Sequence, residues 1–312
     1  MPASLLGPGP EFDRVRAILA ALGPTAQGIG DDCAVLLAQD RPLVVSTDVS
    51  VEGVHFERAW LGAEEIGWRA AASALSDLAA MGAAAIGLVC AVALPAGTPP
   101  EEITALMRGV GQAAKAAGGT VLGGDLSGAE RWSVAVTVLG TAERPVYRSG
   151  ARPGDGLWVT GALGGARAAV QAWLAGREPE PAHYHRFAHP EPRVAAGRWL
   201  AAHGATALID LSDGLAADAQ HLAAASGARA VIELERVPRD VDVPTAEAAA
   251  QGGEDYELLA ALPPAFDEGE AARCVVEGGV PLVRVGRVEA GEGLALLRAG
   301  RPVVLEGFDH FR

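Results

Sequence analysis

Residues 207–215 read Ala207-Leu208-Ile209-Asp210-Leu211-Ser212-Asp213-Gly214-Leu215: an apolar strand gives way, through two aspartates three positions apart, to a helix running to about Ala225. Such strand ends are where α/β folds hold ligands, and both carboxylates fall where they can face one mouth. Ser212 stands where a helix-capping hydroxyl stands, and the amides of such a helix start favour an anion. The same placement recurs outward from this stretch. Asp32 ends Gly28-Ile29-Gly30-Asp31-Asp32 ahead of a short strand, Ala34 to Leu37; Asp48 follows the strand Pro42 to Thr47; Asp125 closes Gly123-Gly124-Asp125 after the strand Thr120 to Leu122. Aspartate is a common turn and cap residue, which accounts for any one of these positions. Five together point to a shared site.

Hard cations such as magnesium take oxygen ligands from one or two carboxylates plus substrate phosphates, so scattered aspartates gathered at one edge suit a metal–nucleotide complex. Ser46, Thr47 and Asp48 add hydroxyl, backbone and carboxylate oxygens on consecutive residues. Asp77 lies inside a helical pattern over 63–81 with Trp68, Ala71, Leu75 and Leu78. It is an exposed-face residue unless this helix packs under the acidic cluster, where it becomes a ligand.

The remaining pattern is mixed. Helices are expected over 11–22, from Pro99-Pro100-Glu101-Glu102 to about Ala117, over 166–175 and up to about His203; strands over Ala84 to Leu94, Trp132 to Thr141, Leu157 to Thr160, and near 229–234, 256–262, 282–288 and 294–298. This is an α/β (mixed α+β) chain of mixed sheets flanked by helices. Turn formers crowd Ser149 to Gly156, so a boundary is placed just before them, dividing residues 1–143 from 144–312. The glycine turn 161–165 lacks the spacing of a dinucleotide fingerprint. His183, His185 and His189 sit in a Pro-containing excursion, 178–192, that reads as solvated surface.

With 312 residues, half of them hydrophobic, the chain buries enough apolar surface to exclude global disorder. A formal charge of −14 and aromatics at 5% argue against a nucleic-acid partner. Lys115 is the only lysine among 25 basic residues, so an enzyme of phosphates here must use arginines, backbone amides or metal ions instead of a phosphate-loop lysine. Cys33, Cys90 and Cys274 are widely separated, as in a reducing compartment. Met1 to Phe12 lacks the basic start and apolar stretch of a secretory signal, and the longest apolar run, Ala83 to Leu94, is too short for a membrane span. The expectation is a cytoplasmic protein with no membrane partner.

The segments GIGDDCAVL from Gly28, STDVSVEGVHF from Ser46, LSDLAAMGA from Leu75, GGD from Gly123, YRSGARPGD from Tyr147, IDLSDGL from Ile209, GGEDYELL from Gly252 and GFDHF from Gly307 together resemble the thiamine-monophosphate kinase family, of the superfamily that includes aminoimidazole ribonucleotide synthetase. Their order and spacing span nearly the whole chain. The resemblance implies a two-domain fold of that superfamily, a homodimer formed through the first domain, and magnesium-dependent transfer of the γ-phosphoryl group of ATP to thiamine monophosphate. It implies metal ligands, direct or through water, at Asp32, Ser46, Thr47, Asp48, Asp77, Asp125, Asp210 and Asp213; ATP contacts at Gly124, Arg148 and Ser212; and substrate contacts at His55, Glu254 and Phe308. The family usually continues GGD with Thr, where this chain has Leu126-Ser127. No residue is placed as a covalent nucleophile or obligate general base.

Two other readings compete. One is a different ATP-using member of the superfamily, such as selenophosphate synthetase or the hydrogenase maturation protein; these need an N-terminal Cys or selenocysteine and a C-terminal Cys, respectively, whereas Cys33 lies inside GDDCA and the chain ends His310-Phe311-Arg312. The other is a non-catalytic acidic metal-binding protein.

Overall fold

The computed structural model describes residues 34–38 and 41–305, and side chains within 41–305. In chain order the elements are β1 (Ala34–Ala38), β2 (Arg41–Val51), α1 (Ala63–Ala80), β3 (Ala84–Leu94), α2 (Pro100–Ala116), β4 (Thr120–Gly128), β5 (Ser133–Thr141), β6 (Gly156–Thr160), α3 (Gly165–Leu174), α4 (Pro181–Ala188), α5 (Val194–Ala202), β7 (Ala207–Asp210), α6 (Leu215–Ser226), β8 (Arg229–Glu233), α7 (Ala246–Gln251), β9 (Leu258–Leu262), α8 (Glu268–Glu277), β10 (Leu282–Glu289), β11 (Gly293–Arg298) and β12 (Arg301–Val303).

Strands β1 to β5 form one sheet in the order β1-β2-β5-β3-β4, and β6 to β12 a second in the order β12-β11-β8-β10-β6-β9-β7. Both are mixed: β3 and β4 run parallel in the first, β8 and β11 in the second, among otherwise antiparallel neighbours. The two sheets bury themselves differently. In β5 the residues Val134, Val136 and Val138 face the core and their neighbours do not, the alternation of a half-buried strand. In β6, β7 and β9 every residue is buried, because helices cover both faces: α6 and α7 on one, α5 and α8 on the other.

Helix α1 belongs to both halves. Its Ala70, Ala71, Leu75 and Leu78 pack under the first sheet, while Ala79 and Ala80 join Trp199, Leu200 and Leu208 beneath the second. An alanine-rich helix suits this position, since small side chains let neighbours approach from several sides.

The structure corrects several sequence expectations. β2 does not stop before Asp48 but continues to Val51, and β4 does not end at Leu122 but carries Gly123-Gly124-Asp125 within the strand. The excursion 178–192 contains α4, with Pro181 at its first turn, where the missing amide costs nothing. His183 is buried there, its Nε2 at 2.6 Å from the Val241 carbonyl oxygen; His185 alone of the three histidines is exposed. Helices α7 and α8 went unforeseen, being short or weakly apolar. The expected helix over 11–22 and Cys33 lie outside the described residues. Cys90 and Cys274 are buried free thiols, each pushed up to about 11 by burial, and therefore inert.

Candidate active site

The site begins with the period of β2. Alternate residues point to opposite faces, so Ser46 and Asp48 look inward toward α1 and Thr47 looks outward, its Oγ1 at 2.9 Å from Thr137 Oγ1. Inward, Ser46 Oγ donates to Asp77 Oδ2 at 2.5 Å. One residue earlier on α1, Ser76 Oγ donates to Asp210 Oδ2 at 2.8 Å, with both residues buried. Consecutive helical positions are about 100° apart, so neighbouring residues of one helix reach the two sheets separately. Helix α1 thus packs under the acidic cluster, the condition on which Asp77 counts as a site residue.

The result is a cavity of about 350 Å³ lined by Asp48, Asp77, Asp210 and Asp213, with Ser46, Arg148, Ser212, His55 and Glu254 around it. Four further lining residues lie outside the motifs, Arg69, Ser73, Asp218 and His221, and a fifth, Tyr256, lies within GGEDYELL but was given no role. For two of them a signal was present, because Arg69 and Ser73 precede Asp77 at helical spacing (i, i+4 and i+8) and form with it a polar stripe on a helix otherwise largely buried.

The start of α6 differs from the expected cap. Ser212 makes no capping bond; the backbone amides of Asp213 and Gly214 donate instead to Asp218 Oδ2, at 3.2 and 3.0 Å. Those amides are therefore satisfied from inside the protein, and anion binding here falls to side chains. Arg148 reaches the same cavity. Burial, followed by the charge of Arg148, pushes the His221 imidazole down to about 4, so it is neutral at physiological pH. His55 has a defined tautomer. Its Nδ1 accepts from the Val51 amide at 3.0 Å, which leaves the ring proton on Nε2.

Glu254 is held under constraint. Both it and Tyr256 have left-handed backbones, φ 70° and 50°, rare for residues with a Cβ. Backbone bonds from Glu254 N to Ser212 O at 2.8 Å and from Tyr256 N to Leu211 O at 3.0 Å fasten this turn to the segment after β7. The approach is so close that a Cβ on Gly253 would stand 2.6 Å from the Ser212 carbonyl oxygen. The Glu254 carboxylate accepts from Arg69 Nη2 and, at 2.7 Å, from the Tyr256 hydroxyl. Arg69 is itself buried, donates to the Phe187 carbonyl at 2.6 Å, and lies with its guanidinium carbon 3.8 Å from the Phe187 ring centroid.

Behind this turn two carboxyls have opposite fates. Burial opposes ionisation of Glu257, but Arg193 and Arg186 outweigh it and hold its carboxyl below the usual range. Asp255 is pushed up to about 8 from its ordinary 3.8, chiefly by burial, against the opposing pull of the Gly164 amide, which donates to Oδ2 at 2.8 Å. The glycine turn 161–165 thus serves to seat this carboxyl. A folded-state pKa raised above the unfolded one gives stability that is complete below about pH 4 and is lost as pH rises through 8, at about 1.4 kcal/mol per pH unit. The melting temperature of Asp255→Asn relative to the unsubstituted chain is therefore expected to climb between pH 5 and pH 9. A constant difference would contradict a neutral Asp255.

Not every expected site residue meets here. Asp125 aligns with Ala91 on the edge strand β4, in the row of Ala135 and Val49, and so faces outward, away from Asp48. Gly124 has a packing reason to be glycine, since a Cβ there would stand 2.0 Å from the Cys90 carbonyl oxygen. Asp32 and Phe308 lie outside the described residues. Among the described residues, no three Asp, Glu, His or Cys side chains converge as a ready metal cage. The carboxylate and hydroxyl oxygens facing the cavity, from Ser46, Asp48, Asp77, Asp210 and Asp213, are hard donors, a set that fits ions taking one or two carboxylates and completing their shell with water and substrate phosphate. A second cavity, of about 480 Å³ and mostly apolar, adjoins the first and shares His55, Ser212 and Glu254 with it.

Comparison with known proteins agrees with this architecture. The family model "AIR synthase related protein, N-terminal domain" matches residues 30–142 and its C-terminal counterpart residues 152–298, which defines the class: a two-domain AIR synthase-related enzyme. Thiamine-monophosphate kinase of Halobacterium salinarum is 37% identical over 304 residues, covering 95% of this chain and 99% of that protein. The Mycobacterium tuberculosis protein of the same name is 39% identical over 245 residues, covering 75% and 74%. A solved structure, AaThiL complexed with AMPPCP and TMP, superposes with a TM-score of 0.85 at 32% identity, covering 96% of this chain and 97% of that one. The chain belongs to the thiamine-monophosphate kinase family, whose members are phosphotransferases.

Proposed function

We propose that the chain transfers the γ-phosphoryl group of ATP directly to the phosphate of thiamine monophosphate, giving thiamine diphosphate and ADP, with Mg²⁺ required. The observation that carries this reading is the pair of bonds from α1, Asp77 to Ser46 and Ser76 to Asp210, which draws carboxylates from both sheets to one cavity beside an apolar one. Such a double cavity suits a polyphosphate donor on one side and an organic phosphate on the other.

Asp48, Asp77, Asp210 and Asp213, with Ser46, would hold magnesium ions, whose positive charge would offset repulsion between donor and acceptor phosphates. Arg148 and Ser212 bind ATP. His55 offers its Nε2 proton to the acceptor phosphate, and Glu254, fixed by Arg69 and Tyr256, faces the cationic thiamine. No general base is needed, because a phosphate monoester with a second pKa of about 6 is mostly dianionic at neutral pH. An acceptor oxygen forms its bond to the γ-phosphorus as the bond to the bridging oxygen breaks, and the electron pair leaves with ADP.

The functional unit in this reading is a cytoplasmic homodimer of chains divided at residues 143/144. The outer face of the first sheet supports the dimer: Val49 and Val89 are 49% and 37% exposed there, beside the exposed edge strand β4. Thr47 and Asp125 lie on this face, so their assignment to metal depends on the twin. Sedimentation equilibrium is expected to return twice the chain mass; a monomer at assay concentration refutes the dimer. Among the described residues, no helix is long and apolar enough to cross a membrane.

Purified protein given ATP, Mg²⁺ and thiamine monophosphate is expected to form thiamine diphosphate and ADP in equal amounts, and no phosphorylated product from free thiamine. ATP consumption without thiamine diphosphate would overturn the reading.

A further inference from the structure

Glu257 is wholly buried, and four donors converge on its carboxylate. Arg193 supplies two of them, Nε to Oε2 at 2.8 Å and Nη2 to Oε1 at 2.6 Å; Arg186 Nη2 donates to Oε1 at 3.0 Å and Thr160 Oγ1 to Oε2 at 2.7 Å. The glycine turn after β6 makes room for the group, since a Cβ on Gly161 would stand 2.2 Å from Glu257 Oε1. None of these residues lines either cavity of the site. A buried Arg–Glu–Arg triad is weak evidence for stability, because the cost of taking three charges out of water offsets most of their attraction, and apolar residues of similar volume often serve as well. The path of the chain through the triad supplies a different reason for it.

Arg186 is followed on α4 by Phe187, whose carbonyl accepts from Arg69 Nη1 at 2.6 Å and whose ring centroid lies 3.8 Å from the Arg69 guanidinium carbon. Arg69 pairs through Nη2 with Glu254. Glu254 in turn stands three positions before Glu257 on one continuous segment. The contacts therefore close on themselves, from Glu257 through Arg186, Phe187, Arg69 and Glu254 back to Glu257 along the chain. We infer that Glu257 and Arg186 are positioning residues for the phosphate acceptor: by docking α4 on the segment that carries Glu254, they set where the Glu254 carboxylate points. The inference rests on the proposed reaction, in which Glu254 faces the acceptor, and adds to it two residues that line neither cavity. Asp77 and Asp210 are held separately, by Ser46 and Ser76, so a loosened ring of contacts is expected to act on acceptor binding and to spare ATP.

The test uses the full chain, with calorimetric titrations of thiamine monophosphate and, separately, of ATP with Mg²⁺, alongside steady-state kinetics. Arg186→Met is expected to weaken thiamine monophosphate binding about fivefold and to raise its KM to match, with kcat and the Kd for ATP changed by less than about twofold. Arg186→Lys keeps a cation beside Glu257 and is expected to recover most of that loss. Tyr184→Phe removes a charge-assisted bond from the same helix, the 2.7 Å bond to Glu65, but lies outside the ring of contacts and should leave both Kd values unchanged. Because the ring acts through Glu254, adding Arg186→Met to Glu254→Gln should weaken binding by less than about twofold further. An equal loss for ATP, an equal loss in Tyr184→Phe, or the full loss on top of Glu254→Gln would make Arg186 a general support of the fold and overturn the inference. Should Arg186→Met not fold, Glu257→Gln is read by the same outcomes, since the amide keeps the volume and one acceptor oxygen. If the unsubstituted chain binds thiamine monophosphate, and Arg186→Met weakens that binding alone, while thiamine diphosphate is never formed, the positioning assignment stands and the proposed reaction fails.

Discussion

Replacing Asp210 by Asn is expected to lower kcat about 10²- to 10³-fold, equivalent to about 3–4 kcal/mol of lost transition-state stabilisation, while moving the melting temperature by only about 2–4 °C. The asymmetry follows from geometry. An amide oxygen still accepts from Ser76, so the bond that draws β7 to α1 survives; what disappears is the charge that faces the phosphates. Asp48→Asn and Asp77→Asn are expected to behave alike, the latter keeping an acceptor for Ser46. Because the carboxylates serve one charge cluster, a double replacement should cost less than the product of the single losses. Steady-state kinetics over a magnesium titration check this. Near-normal turnover of all three variants at limiting magnesium would dismiss the carboxylate cluster as the seat of the reaction.

Arg69→Met is expected to destabilise the fold by about 2–4 kcal/mol and to raise KM for thiamine monophosphate at least tenfold. The arginine side chain is 5% exposed and its partner Glu254 31% exposed, so removing the cation leaves a partly shielded carboxylate whose remaining side-chain donor, among the described residues, is the Tyr256 hydroxyl. Glu254→Gln should raise the same KM with a smaller stability loss, since the amide keeps an acceptor for Arg69 and Tyr256. The double variant separates the two effects: stability should recover by about 1–3 kcal/mol relative to Arg69→Met, whereas KM should not. Equal weakening of ATP and thiamine monophosphate would place Arg69 and Glu254 in general support of the fold. In this account Arg69 is a positioning residue, acting through the carboxylate it holds.

Part of the site was legible because Asp210 ends β7 and Asp213 follows it, where local pattern and ligand chemistry coincide, and Asp48 was found by the same apolar-run pattern although β2 continues through it to Val51. Asp48 and the pair Asp210 and Asp213 needed only the neighbouring apolar runs to be recognised. Asp77 was a different case, since its meaning depends on what α1 packs against, and the contacts that decide it join residues 31 and 134 positions apart. The cap of α6 misled for a different reason: a serine before Asp-Gly is a good local cap, but Asp218, in the first turn of the same helix, accepts from the leading amides instead. Helix α4 was hidden by Pro181 and three histidines, residues that read as solvated surface until their neighbours are known. Thr47 and Asp125 mark the remaining limit. The alternation of β2 and the row shared by β3, β4 and β5 turn both away from the cavity, which strand-end position alone does not reveal.

The central claim is that a cavity of carboxylates, with no residue acting as covalent carrier, supports direct phosphoryl transfer between two phosphates. The most direct measurement is the stereochemical course of the reaction with ATP chiral at the γ-phosphorus and thiamine monophosphate as acceptor. A single in-line displacement predicts inversion in the thiamine diphosphate formed. Retention, or a phosphorylated His or Asp trapped when the enzyme meets ATP alone, would contradict the account.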